Sequence, residues 1–111
     1  MAYDVDLAVR IRNLIGKNKN FEEKKMFGGV GFLINGNLAC GVHKNDMILR
    51  VSPDHYAPLL RRANTRVFDL SGKPMKGWLV IEPAGMKTDA QLKEWISEGV
   101  TFAKSLPPKN K

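Results

Sequence analysis

The sequence is poor in the residues on which small secreted proteins and metal-binding proteins depend. It contains one cysteine, Cys40, and two histidines, His43 and His55, in 111 residues. One cysteine cannot close an internal disulfide bond, and a zinc site needs three or four converging ligands. We therefore expect no disulfide framework, no metal centre and no other cofactor. Cys40 is interpreted as a small core residue with an inert thiol.

Long hydrophobic runs are also missing. No apolar stretch approaches the roughly 20 residues that a membrane-spanning helix requires. Residues 1–4 lack the basic segment and the following apolar stretch of a signal peptide. These absences predict a cytoplasmic protein with no membrane partner.

The composition that remains is that of a globular domain, with 43% hydrophobic and 26% charged residues. A chain of 111 residues predicts a single domain over residues 1–111. The formal net charge of +7 favours loose attraction to polyanions, although charge alone does not define a nucleic-acid site.

Helical periodicity is clear near both ends of the chain. Residues 4–15 repeat apolar side chains at helical spacing, with Asp4 as a candidate N-cap and Gly16 as a stop. Near the other end, Thr88 and Gln91 have the spacing of a capping box, and Pro107 ends the apolar pattern. The sequence therefore predicts an N-terminal and a C-terminal helix.

The central part of the chain has a period of two, which is typical of strands. Asn35-Gly36 is the strongest hairpin signal, and a second turn at Lys44-Asn45 completes a three-stranded meander over residues 26–51. Ser52 as a candidate N-cap and Pro53 at the first helical position then start a short helix that covers residues 55–63. A strand pair over residues 66–70 and 75–81 follows. The predicted fold is α+β, a two-layer sandwich with a five-stranded antiparallel sheet and the order α-β-β-β-α-β-β-α.

The predicted register defines two apolar faces of the meander. Pairing Leu33 with Leu38 and Gly31 with Cys40 gives one face, and the opposite face then carries a second apolar set. Because contiguous apolar surface marks interfaces, we interpret that set as a homodimer interface: Val30, Phe32, Ile34 and Ile48. Two alternatives stay open, namely a bulge at the glycines that shifts the register, or a C-terminal helix that covers this face.

No residue pattern indicates catalysis. The glycines of residues 28–31 open a strand, whereas a phosphate loop needs a strand before it and a helix after it. The two histidines are interpreted as ordinary surface residues. No nucleophile–histidine–acid set is suggested by the sequence, so we expect a non-enzymatic protein without catalytic residues.

Basic residues cluster at two places. If the two clusters share one edge of the sheet, they form a positive patch that can contact phosphates. The candidate residues for contact with a polyanion are Lys17, Lys19, Lys24, Lys25, Arg61, Arg62 and Arg66. The alternative is that loop ends carry charge because they are solvated.

Several segments resemble the N-terminal domain of the TfoX/Sxy family. The most specific are Met26-Phe27-Gly28-Gly29 and Pro74-Met75-Lys76-Gly77-Trp78, with Leu49-Arg50-Val51 between them, and the resemblance extends over residues 6–106. It implies a two-layer α+β fold similar to that of type III secretion chaperones. The residues that carry the family pattern are Met26, Phe27, Gly28, Gly29, Pro74, Met75, Gly77 and Trp78.

The resemblance implies a regulatory role, since the family is associated with natural competence in bacteria. Full TfoX proteins carry a second, helical domain after this one, whereas the present chain stops at residue 111, so we expect a stand-alone N-terminal domain. The leading hypothesis is a regulatory or protein-interaction module with an unidentified protein partner, linked to competence-type transcriptional regulation. The alternatives are an accessory protein that binds nucleic acid weakly and nonspecifically and, less favoured, a small enzyme with an unrecognised site.

Overall fold

The fold combines helices and one antiparallel sheet, in agreement with the predicted class. The structure, a computed structural model, describes residues 3–18, 20–26, 28–69 and 77–107. Its elements are α1 (Val5–Ile15), β1 (Phe21–Met26), β2 (Gly29–Ile34), β3 (Asn37–His43), β4 (Asp46–Arg50), α2 (Pro53–Leu60), β5 (Thr65–Val67), β6 (Trp78–Ile81), a 3₁₀ helix (Pro83–Met86) and α3 (Asp89–Ser105). The sheet order is β1-β2-β3-β4-β6-β5.

The sheet has six strands where the sequence analysis predicts five, and the additional strand is β1. Its four central residues are all charged and exposed, so they show no apolar alternation and resemble a solvated loop. Among the residues that the structure describes, β1 pairs only with β2. An edge strand needs no buried face of its own, and charged side chains are a common feature of such edges.

The predicted helix ends are confirmed. The Asp4 carboxylate accepts a hydrogen bond from the Leu7 N–H at 3.1 Å, and Gly16 follows the last turn of α1. At α3, Thr88 and Gln91 form the reciprocal capping box. The middle helix begins as predicted, with Ser52 as its cap and Pro53 in its first turn, but it ends at Leu60 rather than near residue 63.

The register of the first hairpin differs from the prediction. Asn35 and Gly36 have positive φ angles of 56° and 80°, as the predicted turn requires. Leu33 pairs with Leu38 as expected, but Phe32 then pairs with Cys40, and Ala39 is left as an extra residue in a β-bulge. The bulge shifts β2 by one residue relative to the rest of β3, so the faces assigned to β2 are reversed.

The prediction that Val30, Phe32 and Ile34 lie on the face opposite the helices is therefore wrong. All three are at most 2% exposed and belong to the main core, together with Ile11 of α1 and residues of α3. Ile48 does lie on the opposite face, where it packs in a second cluster, but it is only 1% exposed. The four residues are thus not one exposed patch.

Helix α3 lies against the bulge. A side chain at Gly99 would collide with the Ala39 carbonyl, so this position requires glycine. The buried amide of Asn37 donates hydrogen bonds to the carbonyls of Ala103 and Pro107, at 3.4 and 3.0 Å. The bulge and Asn37 together fix where the C-terminal helix crosses the sheet.

The second strand pair is shorter than the predicted one. β5 and β6 pair antiparallel over three residues each, from Thr65↔Ile81 to Val67↔Leu79. Residues 70–76 lie outside the described residues. Three residues of the family pattern, Phe27, Pro74 and Met75, therefore receive no structural account, and neither does Lys19.

Candidate functional site: an arginine between two aromatic rings

The clearest chemical feature on the surface is the side chain of Arg50. Its guanidinium carbon lies 5.5 Å from the centre of the Trp78 ring and 5.4 Å from the centre of the Phe102 ring. Arg50 ends β4 and Trp78 begins β6, and the two residues are directly opposite each other in the sheet. Phe102 comes from the last turns of α3. Three elements thus converge on one guanidinium.

Local backbone geometry brings Trp78 to Arg50. Gly77 has a φ of +88°, which side chains rarely tolerate, and its carbonyl accepts a hydrogen bond from the Val51 N–H at 2.8 Å. This bond holds the start of β6 against the end of β4. Trp78 also stacks on Phe68, with ring centres 5.7 Å apart and an angle of 27°. The tryptophan that Arg50 contacts is therefore held on a second side.

Arg50 differs from most arginines of the described chain in its electrostatic environment. Arg10, Arg12, Arg62 and Arg66 each bind at least one carboxylate within 3.2 Å. Arg50 is half-buried and lies close to the two rings, and within the described ranges it forms no ion pair. Stacking on aromatic faces leaves the N–H edge of a guanidinium available for a planar anion such as a carboxylate. The arrangement can bind an anionic group in two-point fashion.

A small cleft lies on the same face of the sheet, near β5. It has a volume of about 150 Å³ and an apolar floor made by Ile48, Phe68 and Val80. On its rim, the Arg66 guanidinium donates to Asp46 at 2.7 Å and to Glu82 at 3.1 Å. Because Arg66 is already paired with two carboxylates, it is less available to an anionic ligand than Arg50 is.

The predicted polyanion residues do not come together. Lys24 and Lys25 lie on β1, whereas Arg66 lies on β5 at the other edge of the sheet. Arg62 binds Glu94 at 3.1 Å and lies over the Trp95 ring at 4.3 Å. The condition for one shared positive patch is therefore not met, because the strand order separates the two clusters.

The thiol and the two histidines differ in their exposure to solvent. Cys40 is fully buried, as predicted, and burial raises the pKa of its thiol to about 12. His55 is exposed and lies 3.1 Å from Glu98. His43 is half-buried. Within residues 3–18, 20–26, 28–69 and 77–107, no group of three or more His, Cys, Asp or Glu side chains could hold a metal ion. None of the helices described here is long and apolar enough to cross a membrane.

The sequence alone does not reveal this site, although Arg50 and Trp78 belong to segments that resemble the family. Arg50 and Trp78 lie in separate segments, and Phe102 follows 24 residues after Trp78. Nothing in local spacing joins them, because their contact depends on the pairing of β4 with β6 and on the crossing of α3. The one available signal was an arginine at the end of a strongly apolar strand.

The fold and the site define a class: an α+β domain with helices packed on one face of an antiparallel sheet. The family model of the TfoX N-terminal domain matches residues 13–103. The chain therefore belongs to the TfoX N-terminal domain family. Membership of this family supports a regulatory or competence-related role in general terms. No curated protein matches the chain. Arg50, Trp78 and Phe102 all lie inside the matched range.

Proposed function

We propose that the chain is a cytoplasmic, non-enzymatic regulatory domain that acts by binding another protein, with Arg50 as a central contact. One observation carries the proposal: a half-buried guanidinium held between two rings, with no carboxylate partner in the described chain. Arginine and tryptophan dominate the energy of protein interfaces when they are held in place. An aspartate or glutamate of a partner protein is the group that fits.

The absence of catalysis is part of this proposal, and the environments of the reactive groups support it. The Cys40 thiol is buried with a pKa of about 12, so it is not a nucleophile at neutral pH. The carboxylates Glu23, Asp46 and Glu82 accept hydrogen bonds from arginines. These three carboxylates thus already serve to bind arginine side chains, which supports a structural role for them. The link to competence-type transcriptional regulation comes from the family alone.

The experiment compares what three immobilised proteins retain from a native lysate of the source cells. The baits are the wild type, Arg50→Ala and Arg61→Ala, which removes an exposed arginine elsewhere as a matched control. We expect the wild type and Arg61→Ala to retain the same protein and Arg50→Ala to lose it. Equal retention by Arg50→Ala, or no retained protein with the wild type, contradicts the proposal.

A second candidate function is weak, nonspecific binding of nucleic acid. It is favoured by the net charge of +7 and by the exposed side chains of Lys17, Lys24 and Lys25 near one edge of the sheet. Glu22 and Glu23 lie beside them and reduce the local potential. A gel shift with duplex DNA at low and at physiological salt tests this function, because binding through phosphates weakens steeply with salt.

A further inference from the structure

The outer edge of β1 has unused backbone hydrogen-bonding groups. In an antiparallel ladder, residues alternate between pairs that exchange hydrogen bonds and pairs that do not. The Asn35 N–H donates to the Asn20 carbonyl at 3.1 Å, so Glu22 and Lys24, at the even positions that follow, also bond inward to β2. Phe21, Glu23 and Lys25 therefore direct their N–H and C=O groups away from β2. No strand borders this edge among the described residues.

The charges along this edge are ordered so that an antiparallel second copy can bring its acidic residues close to basic ones. All four residues from Glu22 to Lys25 are exposed, with two acids followed by two bases. A second copy that pairs antiparallel about a two-fold axis must place its outward-bonding residues opposite outward-bonding residues. This requirement allows axes that pass through a residue and excludes axes that pass between two residues.

Among the allowed registers, the axis through Glu23 gives the best charge match. It places Glu22 of each copy opposite Lys24 of the other, which makes two opposite-charge pairs. The two Glu23 side chains meet at the axis, but each carboxylate is already bound by its own Arg12 through two contacts of 2.7 Å. An axis through Lys24 instead places two unneutralised lysines together, and an axis through Glu22 does the same with two glutamates.

We propose that the domain forms a weak homodimer by antiparallel pairing of β1 with β1 of a second copy, about an axis through Glu23. The two sheets then become one continuous sheet. The charged side chains of β1 disfavour pairing with an uncharged or like-charged strand. The opposite-charge pairs of this register favour pairing with a second copy. Repulsion between two copies of charge +7 opposes the pairing, and physiological salt screens it beyond about 8 Å. This surface is independent of Arg50, which lies on β4.

The test is sedimentation of the wild type and charge variants at physiological salt, from micromolar to millimolar concentration. We expect a concentration-dependent dimer for the wild type. Glu22→Lys or Lys24→Glu should each weaken it about tenfold, because two attractive pairs become repulsive. An equimolar mixture of the two variants should restore association as a heterodimer, and the double variant with both changes should restore the homodimer.

Lys24→Glu separates this proposal from a general charge effect. It lowers the net positive charge of each copy, so a simple reduction of repulsion would strengthen association, whereas the proposed register predicts weakening.

A second check is Lys25→Pro, which removes an N–H that points outward and leaves the ladder with β2 intact. Sedimentation should show a monomer, and circular dichroism should show that it is folded. Arg50→Ala should leave the dimer unchanged. A wild type that stays monomeric at millimolar concentration, or a variant mixture that fails to associate, overturns the proposal.

Discussion

The two faces of the sheet both bury apolar side chains, but they do so with different means. The helix-covered face carries the large core, in which Phe32, Met47 and Leu79 are fully buried beneath α1 and α3. The opposite face carries a small cluster of Ile48, Phe68 and Val80, with Trp78 at its border. We expect the helix-covered face to contribute most of the stability. On the opposite face, half-buried charged side chains lie close to apolar ones. The two candidate binding features, the small cleft and Arg50, therefore lie on the opposite face and at its end.

The largest expected effect comes from deleting the same type of ring on each face. Phe32→Ala should cost about 3–5 kcal/mol of unfolding free energy, because the ring is fully buried in the main core and leaves a cavity. Phe68→Ala should cost less than half as much, since its cluster is small. Denaturant unfolding of both variants measures the difference. Equal losses would show that the second face contributes as much stability as the first.

Solvent access to the core beneath the helices can be tested through Cys40. With its thiol buried and its pKa at about 12, alkylation of the native protein at pH 8 should be at least about a hundredfold slower than that of an exposed cysteine. Ser97→Cys, on the exposed side of α3, combined with Cys40→Ala, supplies the reference rate. Reaction of Cys40 at a similar rate would mean that this face opens readily.

The ion pair between Arg12 and Glu23 should contribute a smaller increment. The Arg12 side chain hydrogen-bonds the Glu23 carboxylate and lowers its pKa, so the stabilisation is present above the pKa of the unfolded state and is lost as the pH falls through the lowered folded value. Glu23→Gln should cost about 0.5–1 kcal/mol at pH 7, because both side chains are partly solvated. Unfolding curves at pH 7 and pH 3 should differ less for the variant than for the wild type. An identical pH dependence would contradict this.

The smallest expected effect concerns the arginines at the β5 edge. Arg62 and Arg66 are bound to carboxylates on the two sides of the molecule, so they are poorly available to phosphates. Replacing Arg61, Arg62 and Arg66 by Ala should lower the slope of log affinity for duplex DNA against log salt by about 0.9 or less, the value for one phosphate contact. A decrease near three times that value would show that all three arginines contact phosphates.

Most of the fold follows from local signals that the sequence states directly. Asp4, Thr88 and Gln91 mark the helix starts because their side chains bond backbone groups a few residues away. Asn35-Gly36 marks the hairpin because its turn needs positive φ angles. β1 escaped prediction because an edge strand gains its stability from backbone pairing with β2, and its charged sequence carries no apolar pattern.

The faces of β2 were predicted wrongly for a different reason. One extra residue at Ala39 reverses them, and alanine fits both a regular strand and a bulge. The residue that packs against the bulge lies far along the chain, since Gly99 of α3 approaches the Ala39 carbonyl. The Arg50 site likewise depends on contacts between three elements. Local patterns define which segments are helices and strands, whereas the bulge and the site are set by packing between distant segments.

The buried amide of Asn37 has a consequence for the order of events during synthesis. The hairpin of β2 and β3 is complete soon after residue 43 is made, but the acceptors of Asn37 on Ala103 and Pro107 follow it by 66 and 70 residues. Until α3 docks, water must satisfy this amide, so the hairpin keeps a hydrated end. A hairpin slipped by one residue would present Leu38 to those carbonyls and remove both hydrogen bonds that Asn37 donates to them. We therefore expect docking of α3 to favour the correct register of a hairpin that formed before most of the chain was synthesised.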